Sequence, residues 1–226
     1  MQRRASTFIG YTIEAPDGNV GNISDALFED NDWQLRWFVI DTGTWLSGRK
    51  VLVHPSTLGR PDIRLRAFSV TLTKAEVEAS PVISSDQPVS RQMEQSLNDY
   101  YAYSPMFPGL PAGAAYDGVA RQGNEAVQTG DPHLRSLVEV TGYHIHALDG
   151  DIGHLEDFLV DDESWKIDYA VVDTRNWGFG EHVLVSPVEI KAVNWGGRYI
   201  RLELTRYKIK SSPSWKEPDW SDSPGR

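Results

Sequence analysis

The strongest constraint on this chain is an internal repeat. The segment GYTIEAPDGNVGNISDALFED begins at Gly10, and the segment GYHIHALDGDIGHLEDFLVDD begins at Gly142. The offset of 132 residues (142 − 10) then holds without a gap as far as Pro81 and Pro213, with about a third of the aligned positions identical. A gapless match of this length predicts two copies of one structural unit.

Each copy has the pattern of short β-strands. Apolar and polar residues alternate up to an Asp-Gly turn, which is Asp17-Gly18 in the first copy and Asp149-Gly150 in the second. Five or six short strands cannot leave many edges open without promoting aggregation. We therefore predict a mainly β fold, in which each copy closes into a small β-barrel filled by its own side chains.

The chain divides into three predicted segments. The two repeats occupy residues 7–81 and 133–213, and a Pro/Gly-rich linker occupies residues 82–132. Within the linker, apolar residues recur at helical spacing and predict one short helix from Ser90 to Tyr101. At the end of the first copy, Thr73 and Glu76 have the spacing of a capping box for one helical turn.

Composition excludes several classes of function. The 226-residue chain has no cysteine, which excludes disulfides, thiolate catalysis and thiolate-ligated metals. The net charge of −10 is spread along the chain, so direct binding to nucleic acid is disfavoured. No apolar run is long enough for a transmembrane helix, and the N-terminus lacks the apolar region of a signal peptide. We predict a soluble bacterial protein in the cytoplasm.

Four segments of the chain resemble the PRC-barrel family: GYHIHALDGDIGHLEDFLVDD, VVDTRNW, VLVSP and RLELTRYKIKSSP. PVSRQMEQSLNDYY also resembles the linker of tandem PRC-barrel proteins. The family includes the cytoplasmic domain of the photosynthetic reaction centre H subunit and the barrel domain of a ribosome maturation factor. The resemblance implies two duplicated PRC-type barrels used as docking modules, with family links to photosynthetic electron transfer and RNA processing.

Two repeated aspartates, Asp41 and Asp173, each follow a strand predicted to be buried. A carboxylate in this position usually accepts backbone N–H bonds in a turn, although a catalytic role is an alternative. We assign both to structural turns, together with the Asp17-Gly18 and Asp149-Gly150 pairs. The sequence has no phosphate-binding glycine loop, nucleophile elbow or matched acid–base pair, so we expect no enzyme activity and no cofactor.

Three histidines in the second copy form the alternative site. His144 and His146 point the same way on a strand, close in sequence to His154, and paired imidazoles can chelate a metal. The first copy has Thr12, Glu14 and Asn22 at these positions, so the fold does not require the histidines. We expect no tightly bound metal here, with a ligand- or metal-binding stress-response protein as the alternative function.

Aromatic residues are the candidate partner-binding groups. Trp45 and Trp177 lie on equivalent predicted loops and are either exposed anchors or lids on a barrel end. The linker adds Tyr101, Tyr103 and Phe107, which would form an adhesive patch if they all stayed in water. The leading hypothesis is a non-enzymatic interaction or adaptor protein that binds a protein partner or a second copy of itself as a homodimer.

Overall fold

The chain forms two compact units, one built on each repeat. The computed structural model describes residues 1–78, 133–174, 182–194 and 196–216. The first-repeat unit contains, among these, residues 9–31, 36–78 and 133–136, and the second-repeat unit contains residues 1–8, 32–35 and those from 137 onward. The linker helix predicted from Ser90 to Tyr101 lies outside the described residues.

Short strands dominate both units. In chain order they are β1 (Gln2–Arg4), β2 (Thr12–Ala15), β3 (Gly18–Glu29), β4 (Gln34–Asp41), β5 (Lys50–Val53), β6 (Ala67–Ser69), β7 (Leu134–Ser136), β8 (His144–Ala147), β9 (Gly150–Asp161), β10 (Ile167–Asp173), β11 (His182–Val185), β12 (Ile190–Asn194) and β13 (Tyr199–Leu202). The short α-helices are α1 (Lys74–Glu78), α2 (Leu137–Val140) and α3 (Arg206–Lys210). The prediction of a mainly β protein is therefore confirmed.

The strands form two sheets with the same order of equivalent elements. The first-repeat sheet runs β5-β4-β3-β2-β6, and the second-repeat sheet runs β11-β10-β9-β8-β13-β12. Strand β9 begins and ends 132 residues after β3, and β8 stands in the same relation to β2. Pairing among the described residues follows an open path in each sheet, without a closed ring. Barrel closure, duplication and the domain bounds of 7–81 and 133–213 stay predictions.

One further strand joins each sheet from a segment at or just before the start of the other repeat. Strand β1 pairs antiparallel with β9, with Arg3 opposite Val160. Strand β7 pairs antiparallel with β3, with Arg135 opposite Phe28. Each sheet is therefore completed by residues more than 100 positions away in the chain.

A buried apolar layer supports each sheet. In the first-repeat unit, Leu27, Trp37, Leu52 and Leu134 form one cluster, so β7 contributes directly to the core of the sheet that it joins. In the second-repeat unit, Phe8 follows β1 and packs edge-on against Trp165 at 5.5 Å between ring centroids. These contacts fix the added strands by burial of apolar area as well as by backbone pairing.

Local signals explain how the short helices begin. The Thr73 hydroxyl accepts a hydrogen bond from the Glu76 backbone N–H, while Glu76 accepts from the Thr73 backbone N–H at 2.7 Å. The predicted capping box at α1 is therefore confirmed. Among the helices in the described ranges, none is long and apolar enough to cross a membrane.

Candidate functional site

Three adjacent strands of the second-repeat unit place a row of ligand-type side chains at one end of the sheet. Asp173, the last residue of β10, is paired with His182 at the start of β11 and with His154 on β9. The Asp173 side chain is only 3% exposed, and its Oδ2 lies 3.6 Å from Nε2 of His154. Strand register thus brings together residues separated by up to 28 positions in the sequence (182 − 154).

A β-bulge adds Glu156 to this row. Val171 is paired with Asp157 and Val172 with Leu155, so Glu156 is an extra residue on β9 without a partner position on β10. A bulge redirects side chains locally. Ligand atoms of Glu156, Asp173 and His182 lie within 4.8 Å of one another.

The contact between Glu156 and His182 is close but lacks hydrogen-bond geometry. Glu156 Oε2 and His182 Nε2 are 2.6 Å apart. Both atoms are shielded from solvent, and neither makes a directed hydrogen bond. The distance shows electrostatic proximity, whereas a hydrogen bond also needs the ring N–H to point at the oxygen.

Arg4 of β1 supports the other carboxylate oxygen of Glu156. Its Nη1 donates a hydrogen bond to Glu156 Oε1 at 2.8 Å. This contact holds the Glu156 side chain on one side and leaves Oε2 directed to His182. Glu156 and His182 retain 25% and 27% side-chain exposure, although the two facing atoms, Oε2 and Nε2, are themselves buried.

A second carboxylate on β9, Asp157, has a structural environment. It accepts hydrogen bonds from the Ser6 hydroxyl, the Ser6 N–H and the Phe158 N–H. Burial raises the pKa of Asp157, although these hydrogen bonds and the nearby Arg4 favour its charged form. The Asp157 carboxylate thus connects the segment that follows β1 to strand β9 through hydrogen bonds.

The equivalent positions of the first-repeat unit lack this ligand set. Subtracting 132 from Glu156, Asp173 and His182 gives Ser24, Asp41 and Lys50. The Ser24 hydroxyl instead donates to the Val39 carbonyl at 3.1 Å. The first repeat is therefore an internal comparison in which two of the three ligand types are missing.

The three histidines of the predicted alternative site have different environments. His144 is exposed and is the cross-strand partner of His154. His146 stacks on the Tyr199 ring at 4.5 Å and lies 3.6 Å from Asp151. His154 is the member nearest the Glu156–Asp173–His182 cluster. The expectation that these three histidines hold no tightly bound metal stays a prediction, and the metal site stays its alternative.

Three of the predicted turn aspartates, Asp17, Asp41 and Asp149, accept backbone hydrogen bonds. Asp41 accepts from the Gly43 N–H at 2.9 Å. Asp17 and Asp149 accept from the N–H groups of Lys74 and Arg206, the first residues of α1 and α3.

The glycines that follow these two aspartates have positive φ values, as the tight turns require. Gly18 has φ +129° and Gly150 has φ +128°. A residue with a Cβ adopts this backbone conformation only with strain.

Trp45 is half-buried on its own unit. Its indole N–H donates to the Val20 carbonyl at 2.6 Å, and the Lys74 ammonium lies 5.0 Å from the ring centroid. The ring therefore packs on its own unit, and its role as an anchor or as a lid stays a prediction. The remaining candidate aromatic residues lie outside the described residues: Trp177, Tyr101, Tyr103 and Phe107.

Sequence reasoning did not identify His182 or Arg4. His182 opens the short β11 strand, and its only sequence signal is the equivalence with the β5 strand of the first repeat. Arg4 joins the site through the pairing of β1 with β9, which no local pattern indicates.

Comparison with known proteins relates one part of the chain to a bacterial protein. No known protein-family model matches the chain. It is 36% identical over 74 residues to an uncharacterised protein of Deinococcus radiodurans, a match that covers 33% of this chain and 26% of that protein. The match therefore spans about a quarter of the relative's length.

Proposed function

We propose that the protein is a non-enzymatic interaction module built from two PRC-barrel-type units, and that it binds a second copy of itself. The recurrence of equivalent strands and helices at a spacing of 132 residues supports the duplicated architecture. The 74-residue length of the similarity to the Deinococcus protein is close to the length of one repeat.

One surface of the second-repeat unit carries the proposal. It carries three exposed apolar side chains, Leu148, Val188 and Tyr207, which are 67%, 84% and 79% exposed. We call these three residues the apolar surface. Backbone hydrogen bonds join the segments that bear them, from Leu148 N to Leu204 O and from Glu203 N to Glu189 O. Large apolar side chains left in water on adjoining segments favour a protein contact.

The first-repeat unit has smaller or polar residues at the same positions. Pro16, Ser56 and Ala75 stand where the second repeat has Leu148, Val188 and Tyr207. The fold therefore tolerates a less apolar surface, and burial against a partner explains the apolar residues. Two-fold homo-oligomers are the commonest soluble assemblies, so a second copy is the simplest partner.

Sedimentation velocity tests this function. The full chain is compared with a variant carrying Leu148→Ser, Val188→Ser and Tyr207→Ser. We expect a dimer for the natural chain and a monomer of unchanged secondary structure for the variant, because each substitution removes apolar area from the interface.

A matched control is Leu65→Ser, which removes another exposed leucine from the first-repeat unit. It should leave the dimer intact. A natural chain that remains monomeric throughout the accessible concentration range, or a triple variant that dimerises as well as the natural chain, contradicts the proposal.

A further inference from the structure

We propose that Glu156, Asp173 and His182 form a binding site for one divalent transition-metal ion of the zinc type. The site belongs to the second-repeat unit and goes beyond the interaction function. Its ligand atoms would be Glu156 Oε2, a carboxylate oxygen of Asp173 and His182 Nε2.

The separations between these atoms suit a small cation. Zinc binds imidazole nitrogen at about 2.0–2.1 Å and carboxylate oxygen at about 2.0–2.2 Å, so two ligands at a tetrahedral angle are about 3.3 Å apart. The present separations extend from 2.6 Å between Glu156 and His182 to an upper limit of 4.8 Å within the cluster. Binding of one ion therefore requires side-chain rotations that widen the Glu156–His182 separation to about 3.3 Å.

The two buried atoms without hydrogen bonds are the second observation. Buried polar atoms normally have hydrogen-bond partners. Glu156 Oε2 and His182 Nε2 instead face one another without a directed hydrogen bond. An ion pair with a protonated imidazole accounts for their proximity but leaves this geometry unexplained, whereas a cation between them uses the lone pair of each atom.

Neighbouring side chains contact the ligand residues, as groups that orient ligands do in metal sites. Arg4 occupies Glu156 Oε1 and leaves Oε2 available for monodentate binding. His154 Nε2 lies 3.6 Å from Asp173 Oδ2, where it can help to orient this carboxylate. The three side chains leave one position of a four-coordinate zinc shell open, which a water molecule would fill, as in zinc sites with three protein ligands.

The ligand set selects the class of ion. Calcium and magnesium take oxygen ligands, whereas a site that includes imidazole favours zinc and the neighbouring transition metals. The first repeat has Lys50, a fixed cation, where the second has His182, and Ser24 where the second has Glu156. We therefore expect one site per chain and none in the first-repeat unit.

Calorimetric titration of untagged, chelator-treated full-length protein with Zn²⁺ tests the site. We expect saturable binding of one ion per chain. Since an ion that binds only the folded state stabilises it by mass action, Zn²⁺ should also raise the melting temperature. Co²⁺ should give visible absorption bands that Zn²⁺ abolishes. The proposal is overturned if the protein binds no Zn²⁺, or if its affinity is too low for the titration to reach saturation.

Ligand variants locate the ion. Glu156→Ser and His182→Lys introduce the residues that the first repeat carries at these positions, and each should weaken Zn²⁺ binding more than about 100-fold. His182→Gln removes the ligand with little change of volume. His154→Gln should weaken binding by about 10-fold, as expected for a group that orients a ligand.

The control is His146→Gln, which removes a histidine of the predicted alternative set outside the cluster. It should leave Zn²⁺ binding unchanged. Binding that survives in both the His182→Gln variant and the Glu156→Ser variant, or that His146→Gln abolishes, contradicts the proposal. Circular dichroism of the metal-free variants distinguishes ligand loss from misfolding, and the proposal is contradicted if every folded ligand variant still binds.

Discussion

His54 shows how one side chain couples the first-repeat unit to pH. Its Nδ1 accepts a hydrogen bond from the Ser56 N–H at 3.1 Å and so caps the short turn at Pro55–Thr57. Burial, and then the nearby Arg36, lower the pKa of His54 to about 4 from an ordinary 6.5. A protonated ring could not accept this hydrogen bond, so the fold requires the neutral form.

Acidification should therefore destabilise the protein through His54. The unfolded state binds the proton below pH 6.5 and the folded state only near pH 4, so stability is complete above pH 6.5 and falls between these values. The loss approaches about 3 kcal/mol at about 1.4 kcal/mol per pKa unit. Urea unfolding at pH 7.5, 5.5 and 4 measures it.

The matched variant is His54→Asn, whose amide oxygen can accept from the Ser56 N–H but does not titrate. Its stability at pH 7.5 should remain within about 1 kcal/mol of the natural chain. Its loss of stability on acidification should be smaller by the His54 contribution. Equal pH dependence of the two proteins would exclude His54 as the source.

Gly21 shows a second constraint at the scale of one residue. Its φ is +147°, and an added Cβ would overlap the Asp41 carbonyl oxygen and lie 2.9 Å from Thr42 Cα. The equivalent Gly153 meets the Asp173 carbonyl in the same way. Glycine at this position lets the two strands approach closely, which in the second repeat sets β9 against the end of β10.

Gly21→Ala should destabilise the chain by about 3 kcal/mol or more, because backbone atoms cannot yield as side chains do. Gly43→Ala is the control, since Gly43 also has a positive φ (+58°) but an added Cβ there meets nothing within 4 Å. It should cost only about 1–2 kcal/mol. Chemical denaturation measures both, and equal effects would contradict the close-approach argument.

At the scale of elements, β1 and the turn after it determine whether the second-repeat sheet is complete. Strand β1 pairs with three residues of β9, Arg3 contacts Asp162 at 2.6 Å, and Ser6 hydrogen-bonds to Asp157. Phe8 adds a fully buried ring. The segment is thus a structural part of the unit and also carries Arg4 to the candidate metal site.

Phe8→Ala should destabilise the second-repeat unit by about 3–5 kcal/mol, as expected for loss of a buried aromatic side chain. Hydrogen exchange monitored by mass spectrometry should show faster exchange in β9 and β10, and β3 and β4 should change less. Leu65→Ala, which shortens an exposed side chain, is the control and should leave exchange unchanged. Unaltered protection of β9 would mean that the segment does not support the sheet.

The contrast between local and long-range signals explains what the sequence could predict. The Asp-Gly turns and the Thr73/Glu76 capping box depend on neighbours in the chain, and their patterns are readable. The pairing of β1 with β9 joins residues about 157 positions apart, such as Arg3 and Val160, and has no local pattern. The candidate metal site could not be predicted for the same reason, because only strand register and a β-bulge bring His182 close to Glu156.

At the scale of the whole molecule, the linker aromatics provide a separate test of association. Tyr101, Tyr103 and Phe107 lie close to Pro105 and Pro108. Proline cannot extend a helix or join a sheet interior, so the sequence predicts no regular structure around Tyr103 and Phe107. We expect them to bury apolar area against the folded part of this chain or against a second copy.

The variant Tyr101→Ser, Tyr103→Ser and Phe107→Ser tests this expectation through light scattering and thermal unfolding. A smaller particle with intact secondary structure would place the aromatics in an interface between copies. A lower melting temperature at unchanged mass would place them against the same chain. The apolar surface variant is the comparison, because its three residues should affect mass alone. If neither mass nor melting temperature changes in the linker variant, the segment is an exposed tether and the expectation is wrong.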